Sequence, residues 1–163
     1  MSNEDFLENR TLEEINIGDT SNIVKQVTKK DIEVFAIMSG DVNPAHVDEE
    51  FAKNSIFQKV IAHGIWTGSL ISAVLGTKLP GPGAIYMSQS FKFLKPVGIG
   101  DTITATVTVT QKDVEKKRIT LDCVCTNQDN NKVLTGEALI LAPKEKIKRK
   151  KVPLPQVEIN FNT

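Results

Sequence analysis

The sequence lacks the features that mark several classes of protein. Lysine and arginine number 20, and so do aspartate and glutamate, so no net charge favours nucleic acid or a membrane surface as a partner. The first ten residues, MSNEDFLENR, contain no apolar stretch behind positive charges, which a secretory signal peptide requires. No apolar run approaches the roughly 20 residues that cross a bilayer. We therefore expect a cytoplasmic protein without a membrane or nucleic-acid partner.

Cysteine and histidine are also scarce, with two residues of each. Cys123 and Cys125 would point to the same face of a strand, where they are poor disulfide partners. No histidine lies near them in the sequence, which argues against a metal site there. The chain has neither a Gly-x-Ser-x-Gly elbow nor a glycine-rich phosphate loop, so covalent acyl transfer and phosphate cradling by such a loop lack support.

The length and composition fit one folded domain. The chain has 163 residues, of which 40% are hydrophobic and 25% charged, as in an ordinary globular protein with a sizeable core. We predict an N-terminal lead-in over residues 1–19, a folded domain over residues 20–142, and a basic, proline-containing tail or linker over residues 143–163. The first ten residues are expected to be loosely held, and the charge run of the tail is expected to be solvated.

The first half of the chain carries helical signals. Alternation predicts a strand from Thr20 to Val27. Thr28 and Asp31 have the spacing of a capping box, which predicts a short helix that ends at about Met38. The glycine, aspartate, asparagine and proline that follow favour a turn, and a second short helical turn is predicted after it.

One apolar helix and four β-rich runs come next. The helix, from Ile65 to Lys78, is apolar on most sides, so we expect it to be buried. Short linkers between the four runs predict a meander of antiparallel strands; the runs are AIYMSQSFKF, DTITATVTVTQ, RITLDCVCTN and KVLTGEALIL. A sheet of this size wrapped around one central helix is the α+β hot dog fold. Its open edge and face favour the pairing of two copies.

Reactive residue types are concentrated in one short loop. Asp41, Asn43 and His46 lie within six residues, and Pro44 between them restricts the backbone. A carboxylate and an imidazole in one loop could share a water molecule and move protons near neutral pH. The same residues could instead do no more than hydrogen-bond their own turn, and the spacing alone favours that interpretation.

The start of the apolar helix is a second candidate feature. Backbone N–H groups near His63 and Gly64 would be unpaired at the positive end of the helix, which suits a developing oxyanion. Gly64 would also let a thioester carbonyl approach without a side chain in the way. A plain helix-start glycine and a structural His63 are the alternatives. About two turns further on, Ser72 either bonds back to a carbonyl one turn earlier or lines an acyl pocket.

Four segments together resemble the MaoC-like family of (R)-specific enoyl-CoA hydratases. They are SGDVNPAHVDEEFA, VIAHG, the helix that bears Ser72, and QSFKFLKPVGIGDTITATVTV, in matching order from about Thr20 to Ala142. The Asp-x-Asn-Pro-x-His pattern is specific among hot dog proteins. The later Phe-x-x-Pro-Val-x-x-Gly-Asp run supports it independently. The resemblance therefore reverses the preference for a mere turn.

The resemblance implies an activity and a role for each candidate residue. The activity is reversible addition of water to a trans-2-enoyl-CoA, an acyl thioester, to give the (R)-3-hydroxyacyl-CoA, with Asp41 and His46 as the catalytic pair. The amide of Gly64 would polarise the thioester carbonyl, Asn43 would orient substrate or water, and Ser72 would lie near the acyl pocket. No metal and no cofactor is needed, because CoA is part of the substrate. A homodimer or higher homo-oligomer is expected.

Three other functions stay open on the sequence. A thioesterase of the same fold would hydrolyse the thioester. A 3-hydroxyacyl-carrier-protein dehydratase would need a basic docking patch, for which Lys92, Lys95 and residues 112–118 are candidates. The chain could also be a non-catalytic thioester-binding or dimerisation module fused to a partner domain, although the presence of both Asp41 and His46 argues against this.

Overall fold

A long antiparallel sheet curls around one central helix in the computed structural model, which describes residues 5–161. The predicted α+β hot dog architecture is confirmed, and the predicted strand and helices of the first half are present. The elements in chain order are β1 (Phe6–Glu8), β2 (Thr20–Gln26), α1 (Lys29–Ser39), α2 (Pro44–Val47), α3 (Glu49–Asn54), α4 (Gly64–Thr77), β3 (Ile85–Phe93), β4 (Thr102–Asp113), β5 (Arg118–Thr126), β6 (Lys132–Leu141) and β7 (Lys148–Lys150).

The order of the strands differs in one respect from the predicted meander. The five-stranded sheet runs β2-β4-β5-β6-β3, and all its neighbours are antiparallel. The meander is therefore correct for β4, β5 and β6 but wrong for β3, which pairs with β6. The linker of residues 94–101 crosses the end of the sheet, where Leu94 donates to the carbonyl of Val133 and Gly100 donates to that of Val27, each over 2.9 Å. A linker of this length can close a hairpin or cross a sheet end, so its length does not predict which.

The core lies between the inner face of the sheet and α4. Buried and partly exposed residues alternate along β4 from Thr102 to Val109, as expected when one face packs and the other meets solvent. Cys123 and Cys125 share the inner face of β5 as free, buried thiols, as the sequence predicts. Burial raises the pKa of the Cys125 thiol to about 12, with a smaller contribution from Cys123.

One face of α4 is open, which corrects the prediction that this helix, apolar on most sides, is buried. Ile71 is fully buried, but Ile65 is 55% exposed. Ser69, Ser72 and Gly76 are exposed as well, and a spacing of three or four residues places all four on one stripe of the helix. No other element within residues 5–161 covers this stripe. Neither α4 nor another helix in that range has the length and apolarity needed to cross a membrane.

The two ends of the described chain pair with one another. Strands β1 and β7 form a small antiparallel sheet. The side chain of Asn9 donates to the carbonyl of Glu145 over 2.8 Å and accepts from the N–H of Ile147 over 2.9 Å. Ile15 is fully buried. The prediction of a loose start is therefore wrong for residues 5–10, because contacts between distant chain ends leave no local signal. The rest of the predicted start, residues 1–4, lies outside the described residues, and the domain boundaries stay predictions.

Charge pairing joins the same two ends. The ammonium of Lys146 lies 3.3 Å from a carboxylate oxygen of Glu8 and 3.0 Å from one of Glu14. Lys148 lies 3.3 Å from the second oxygen of Glu8. Hydrogen bonds from Lys148 and Lys146 lower the pKa of Glu8 below its usual value. Part of the basic run thus pairs with the lead-in instead of being fully solvated.

Candidate active site

The loop after α1 is shaped by its own polar side chains. Gly40 ends α1 with a φ of 76°, a left-handed conformation that suits glycine. Asp41 Oδ1 accepts from the N–H of Asn43 over 3.2 Å, and Asn43 Oδ1 accepts from the N–H of Ala45 over 3.1 Å, which caps α2. Pro44 occupies the start of α2, where no N–H is needed. Among residues 5–161, these turn bonds engage only one of the two carboxylate oxygens of Asp41.

His46 is half-buried and is fixed through one ring nitrogen. Its Nδ1 lies 2.7 Å from the carbonyl oxygen of Ile61. Because a carbonyl can only accept, Nδ1 carries the hydrogen in this contact, and Nε2 keeps a lone pair that can take a proton. Side-chain ligand atoms of Asp41, His46 and His63 lie within 4.8 Å of one another. The loop therefore brings the predicted carboxylate and imidazole together.

His63 lies directly behind this pair. Its side chain is 2% exposed, and its Nε2 lies 2.9 Å from the backbone carbonyl oxygen of Asp41. Its ring packs on that of His46 with 3.9 Å between centroids and on that of Phe35 with 4.7 Å. Its Nδ1 is buried without a hydrogen-bond partner. The sequence predicts a structural role for His63, but not that it contacts both Asp41 and His46.

Gly64 begins α4 immediately after His63. The side chain of His63 makes no capping hydrogen bond to the first amides of α4, although its backbone carbonyl accepts from the N–H of Trp66 over 3.0 Å. Gly64 is exposed, and a Cβ at this position would lie 2.8 Å from the ring of Phe93. The lack of a side chain therefore lets Phe93 pack against the helix start while the Gly64 backbone remains accessible.

A groove of about 510 Å³ runs along this helix start. His46 and Gly64 lie in its wall, and most of the remaining wall is apolar; it consists of Phe57, Ile61, Ala62, Ile65, Thr67, Phe93, Leu94, Lys95, Pro96, Val97 and Val133. The linker after β3 forms one side, held to the helix start by a 2.7 Å hydrogen bond from Ala62 N–H to the carbonyl of Val97. An apolar groove with few polar groups at one end suits an acyl chain attached to a polar head.

The five predicted site residues do not all meet at this groove. Asp41, His46 and Gly64 come together at the start of α4, with the carboxylate of Asp41 beside His46 and outside the groove wall. Asn43 lies in the same loop, but its side-chain oxygen caps α2. Ser72 lies on the exposed stripe of α4, eight residues or about 12 Å beyond Gly64 along the helix axis.

The same cluster is the set of side chains within residues 5–161 that could hold a metal ion. A ring nitrogen binds a metal through its in-plane lone pair. The rings of His46 and His63 are stacked on each other, with 3.9 Å between centroids and a tilt of 31°. One nitrogen of each ring also contacts a backbone carbonyl. This geometry fits proton transfer better than metal binding.

Sequence reasoning missed two contributors to the site. The carbonyl of Ile61 sets the tautomer of His46, but a backbone acceptor leaves no signal in the residue type. Phe93 packs on Gly64, and the pairing of β3 with β6 places it there. Phe93 begins the Phe-x-x-Pro-Val-x-x-Gly-Asp run of the resemblance, but that run does not show that its ring packs on the start of α4.

Comparison with known proteins gives consistent results. The MaoC like domain family matches residues 16–129 of this chain. The (R)-specific enoyl-CoA hydratase of Rhodospirillum rubrum is 50% identical over 131 residues, which cover 80% of this chain and 90% of that protein. The 3-hydroxybutyryl-CoA dehydratase of Methylorubrum extorquens is 45% identical over 133 residues, covering 82% and 84%.

A solved structure extends the similarity to the flanking segments. The unliganded R-hydratase of Pseudomonas aeruginosa superimposes with a TM-score of 0.91 at 35% identity. The match covers 95% of this chain and 99% of that one, so it includes most of the residues on either side of the five-stranded sheet.

Proposed function

We propose a function from the premise that this chain belongs to the MaoC-like family: it is an (R)-specific enoyl-CoA hydratase, a hydro-lyase that adds water reversibly to trans-2-enoyl-CoA. The product is the (R)-3-hydroxyacyl-CoA. The observation that carries the proposal is the meeting of Asp41, His46 and the open start of α4 at the end of one apolar groove. The similarity to hydratases and a dehydratase over four fifths of the chain supports the same reaction.

The start of α4 polarises the substrate. The thioester carbonyl oxygen accepts a hydrogen bond from the N–H of Gly64, at the positive end of the helix. As water adds at C3, negative charge moves onto this oxygen in an enolate-like transition state. The hydrogen bond then strengthens, so it stabilises the transition state more than the bound substrate.

Asp41 and His46 handle the protons. A water molecule held between the free carboxylate oxygen of Asp41 and Nε2 of His46 loses one proton to the pair as its oxygen bonds to C3. The pair then returns one proton to C2, so the enzyme ends the cycle in its starting state. The reaction needs no metal and no cofactor.

Replacement of either proton-handling residue tests the proposal. We expect Asp41→Asn and His46→Ala each to lower kcat on crotonyl-CoA by about 10²–10⁴-fold, followed by loss of the enoyl absorbance. Asp41→Asn keeps an oxygen that can accept from Asn43, so the turn should persist. Asp48→Asn is the matched control, because Asp48 caps the next helix, α3, and an asparagine can do the same.

Turnover close to wild type in Asp41→Asn or His46→Ala would show that the proton assignment is wrong. Release of free thiol without formation of a 3-hydroxyacyl product would favour a thioesterase instead. A series of enoyl-CoA chain lengths, with the configuration of the product determined, would establish substrate preference and the (R) assignment.

We further propose that two copies pair through β3 and the open stripe of α4. Within residues 5–161, β3 hydrogen-bonds on one side only, to β6. Its exposed apolar side chains include Ile85 and Phe93, at 57% and 53% exposure, and Ile65 of α4 is exposed in the same groove as Phe93. A free edge next to apolar surface favours edge-to-edge pairing around a two-fold axis.

Sedimentation tests the homodimer. We expect about twice the 17.9 kDa of one chain at micromolar concentration, and a shift toward monomer in Ile85→Lys. Val24→Lys on the opposite edge strand, β2, is the matched control, since Val24 is 61% exposed. A wild-type monomer would contradict the proposal.

A cytoplasmic location is proposed from the two free cysteines, which fit a reducing compartment.

A further inference from the structure

His63 connects all three parts of the proposed site. Its Nε2 contacts the carbonyl of Asp41 over 2.9 Å, its ring stacks on that of His46 at 3.9 Å, and it directly precedes Gly64 in the chain. Because the Asp41 carbonyl can only accept, His63 donates from Nε2 and carries its lone pair on Nδ1.

The unpaired Nδ1 indicates that His63 does more than fill space. This atom is buried without a partner within residues 5–161, and a buried acceptor without a hydrogen bond is destabilising. A phenylalanine would provide a ring for Phe35 and His46 to pack on without that penalty. What a phenylalanine would lack is the Nε2 donor, so the value of histidine at this position lies in its bond to Asp41.

Two long-range side-chain hydrogen bonds attach the loop to the segment before α4, beside a backbone bond from the N–H of Ile61 to the carbonyl of Ala45 over 3.3 Å. His46 Nδ1 donates to the carbonyl of Ile61, and His63 Nε2 donates to the carbonyl of Asp41. The remaining bonds that involve a side chain are local: Asp41 N–H donates to the Ser39 hydroxyl, and the side-chain oxygens of Asp41 and Asn43 accept from N–H groups two residues further on. Because residues 61–63 lead directly into Gly64, these two bonds fix both proton-handling groups relative to the amide that receives the carbonyl.

We propose that His63 is a positioning residue for the hydration reaction: its Nε2–H holds the backbone of Asp41, and its ring supports His46, at a fixed distance from Gly64. This role rests on the proposed function. His63 does not touch substrate in it. A displacement of about 1 Å in such groups can lower a rate by about 10²-fold, so loss of the bond affects kcat more than binding.

Two substitutions separate the donor from the ring. His63→Phe keeps an aromatic ring but has no donor. His63→Gln loses the ring but places an amide N–H near the position of Nε2. We expect His63→Phe to lower kcat by about 10–100-fold with KM changed less than about threefold, and His63→Gln to recover kcat to within about fivefold of wild type.

Either of two results would overturn the role. One is wild-type kcat in His63→Phe, and the other is a loss in His63→Gln as large as that in His63→Phe. If His63→Phe does not fold, His63→Asn replaces it, because the shorter asparagine amide does not reach the Asp41 carbonyl. A kcat near wild type in His63→Gln but not in His63→Asn would then support the positioning role.

Nitrogen-15 spectra of the imidazoles test the contact without using activity. The chain has two histidines, so His63→Gln assigns both sets of signals. We expect the hydrogen on Nε2 in His63 and on Nδ1 in His46. A His63 protonated on Nδ1 alone would overturn the positioning role even in a fully active enzyme. Wild-type protein with the expected tautomers but no hydratase activity would instead overturn the proposed function, and the role that depends on it.

Discussion

Helices α1 and α4 begin in opposite ways. At α1, the side-chain oxygen of Thr28 accepts from the N–H of Asp31 over 3.1 Å, and the carboxylate of Asp31 accepts from the N–H of Thr28 over 2.9 Å. At α4, the preceding residue is His63, which makes no capping bond and whose ring nitrogen bonds to the Asp41 loop instead. One helix start is capped by side chains of its own residues, and the other has no side-chain cap.

The difference has a thermodynamic consequence. A helix start has unpaired N–H groups and a partial positive charge, and a cap such as that of α1 typically stabilises the helix by about 1 kcal/mol. α4 forgoes this contribution and relies on its buried side, which includes Ile71 and Val74, to hold it in place. Its first amides have no side-chain cap, and the proposed function uses the one at Gly64 to bind an oxyanion, a use for which helix starts are suited.

Among changes at the two helix starts, the largest expected effect comes from removing the first N–H of α4. Proline is well tolerated at the first helical position, and the extended backbone of His63, with φ −58° and ψ 137°, suits a residue before proline. We expect Gly64→Pro to lower kcat on crotonyl-CoA by about 10²–10³-fold beyond the effect of Gly64→Ala, because only the proline lacks the donor.

Gly64→Ala is the necessary control, because any side chain here meets Phe93. The alanine Cβ would lie 2.8 Å from a ring that is half exposed and can move away. Equal loss of turnover in both variants would show that crowding by Phe93, and not the Gly64 amide, explains the effect. The uncapped start of α4 would then have no demonstrated role in catalysis.

A smaller effect is expected at the closed helix start. Thr28→Ala removes the side-chain acceptor of the capping box, and we expect the free energy of unfolding to fall by about 1 kcal/mol. Chemical denaturation measures this change. Turnover should stay near wild type, since Thr28 does not line the groove. A large loss of activity in the folded variant would mean that the two helix starts are not functionally separate.

These two helix starts also show what the sequence can and cannot predict. The capping box of Thr28 and Asp31 was predictable, because its two bonds join residues three apart. The turn that contains Asp41 and His46 was also predictable, because its hydrogen bonds join residues two apart. The bond from His63 to Asp41 spans 22 residues, so only the folded chain reveals it.

Longer-range features were the ones that prediction missed. The pairing of β3 with β6 depends on which way a linker crosses the sheet, and the pairing of β1 with β7 joins the two ends of the chain. Ser72 was placed on the correct helix, but its side of that helix depends on what packs around α4. Hydrogen bonds between residues close in sequence can be predicted from short motifs, whereas the pairing of strands and the packing around a helix depend on the whole fold.

The smallest expected effect is a pH dependence of stability at α1. Burial alone would raise the pKa of Asp31, but hydrogen bonds from Thr28 and Lys25 outweigh it and lower the pKa below the usual 3.8. A lowered carboxyl pKa stabilises the folded state above the unfolded pKa, and this contribution is lost as the pH falls through the folded value.

We expect Asp31→Asn to be less stable than wild type by about 0.3–1 kcal/mol at pH 7, and the difference to shrink as the pH falls below about 4. Denaturation of both proteins between pH 7 and pH 3 measures it. The helix start of α4 has no acidic residue in its first turn. A difference that stayed constant with pH would mean that the charge of Asp31 contributes nothing to closing α1, and that its hydrogen bonds alone distinguish the two helix starts.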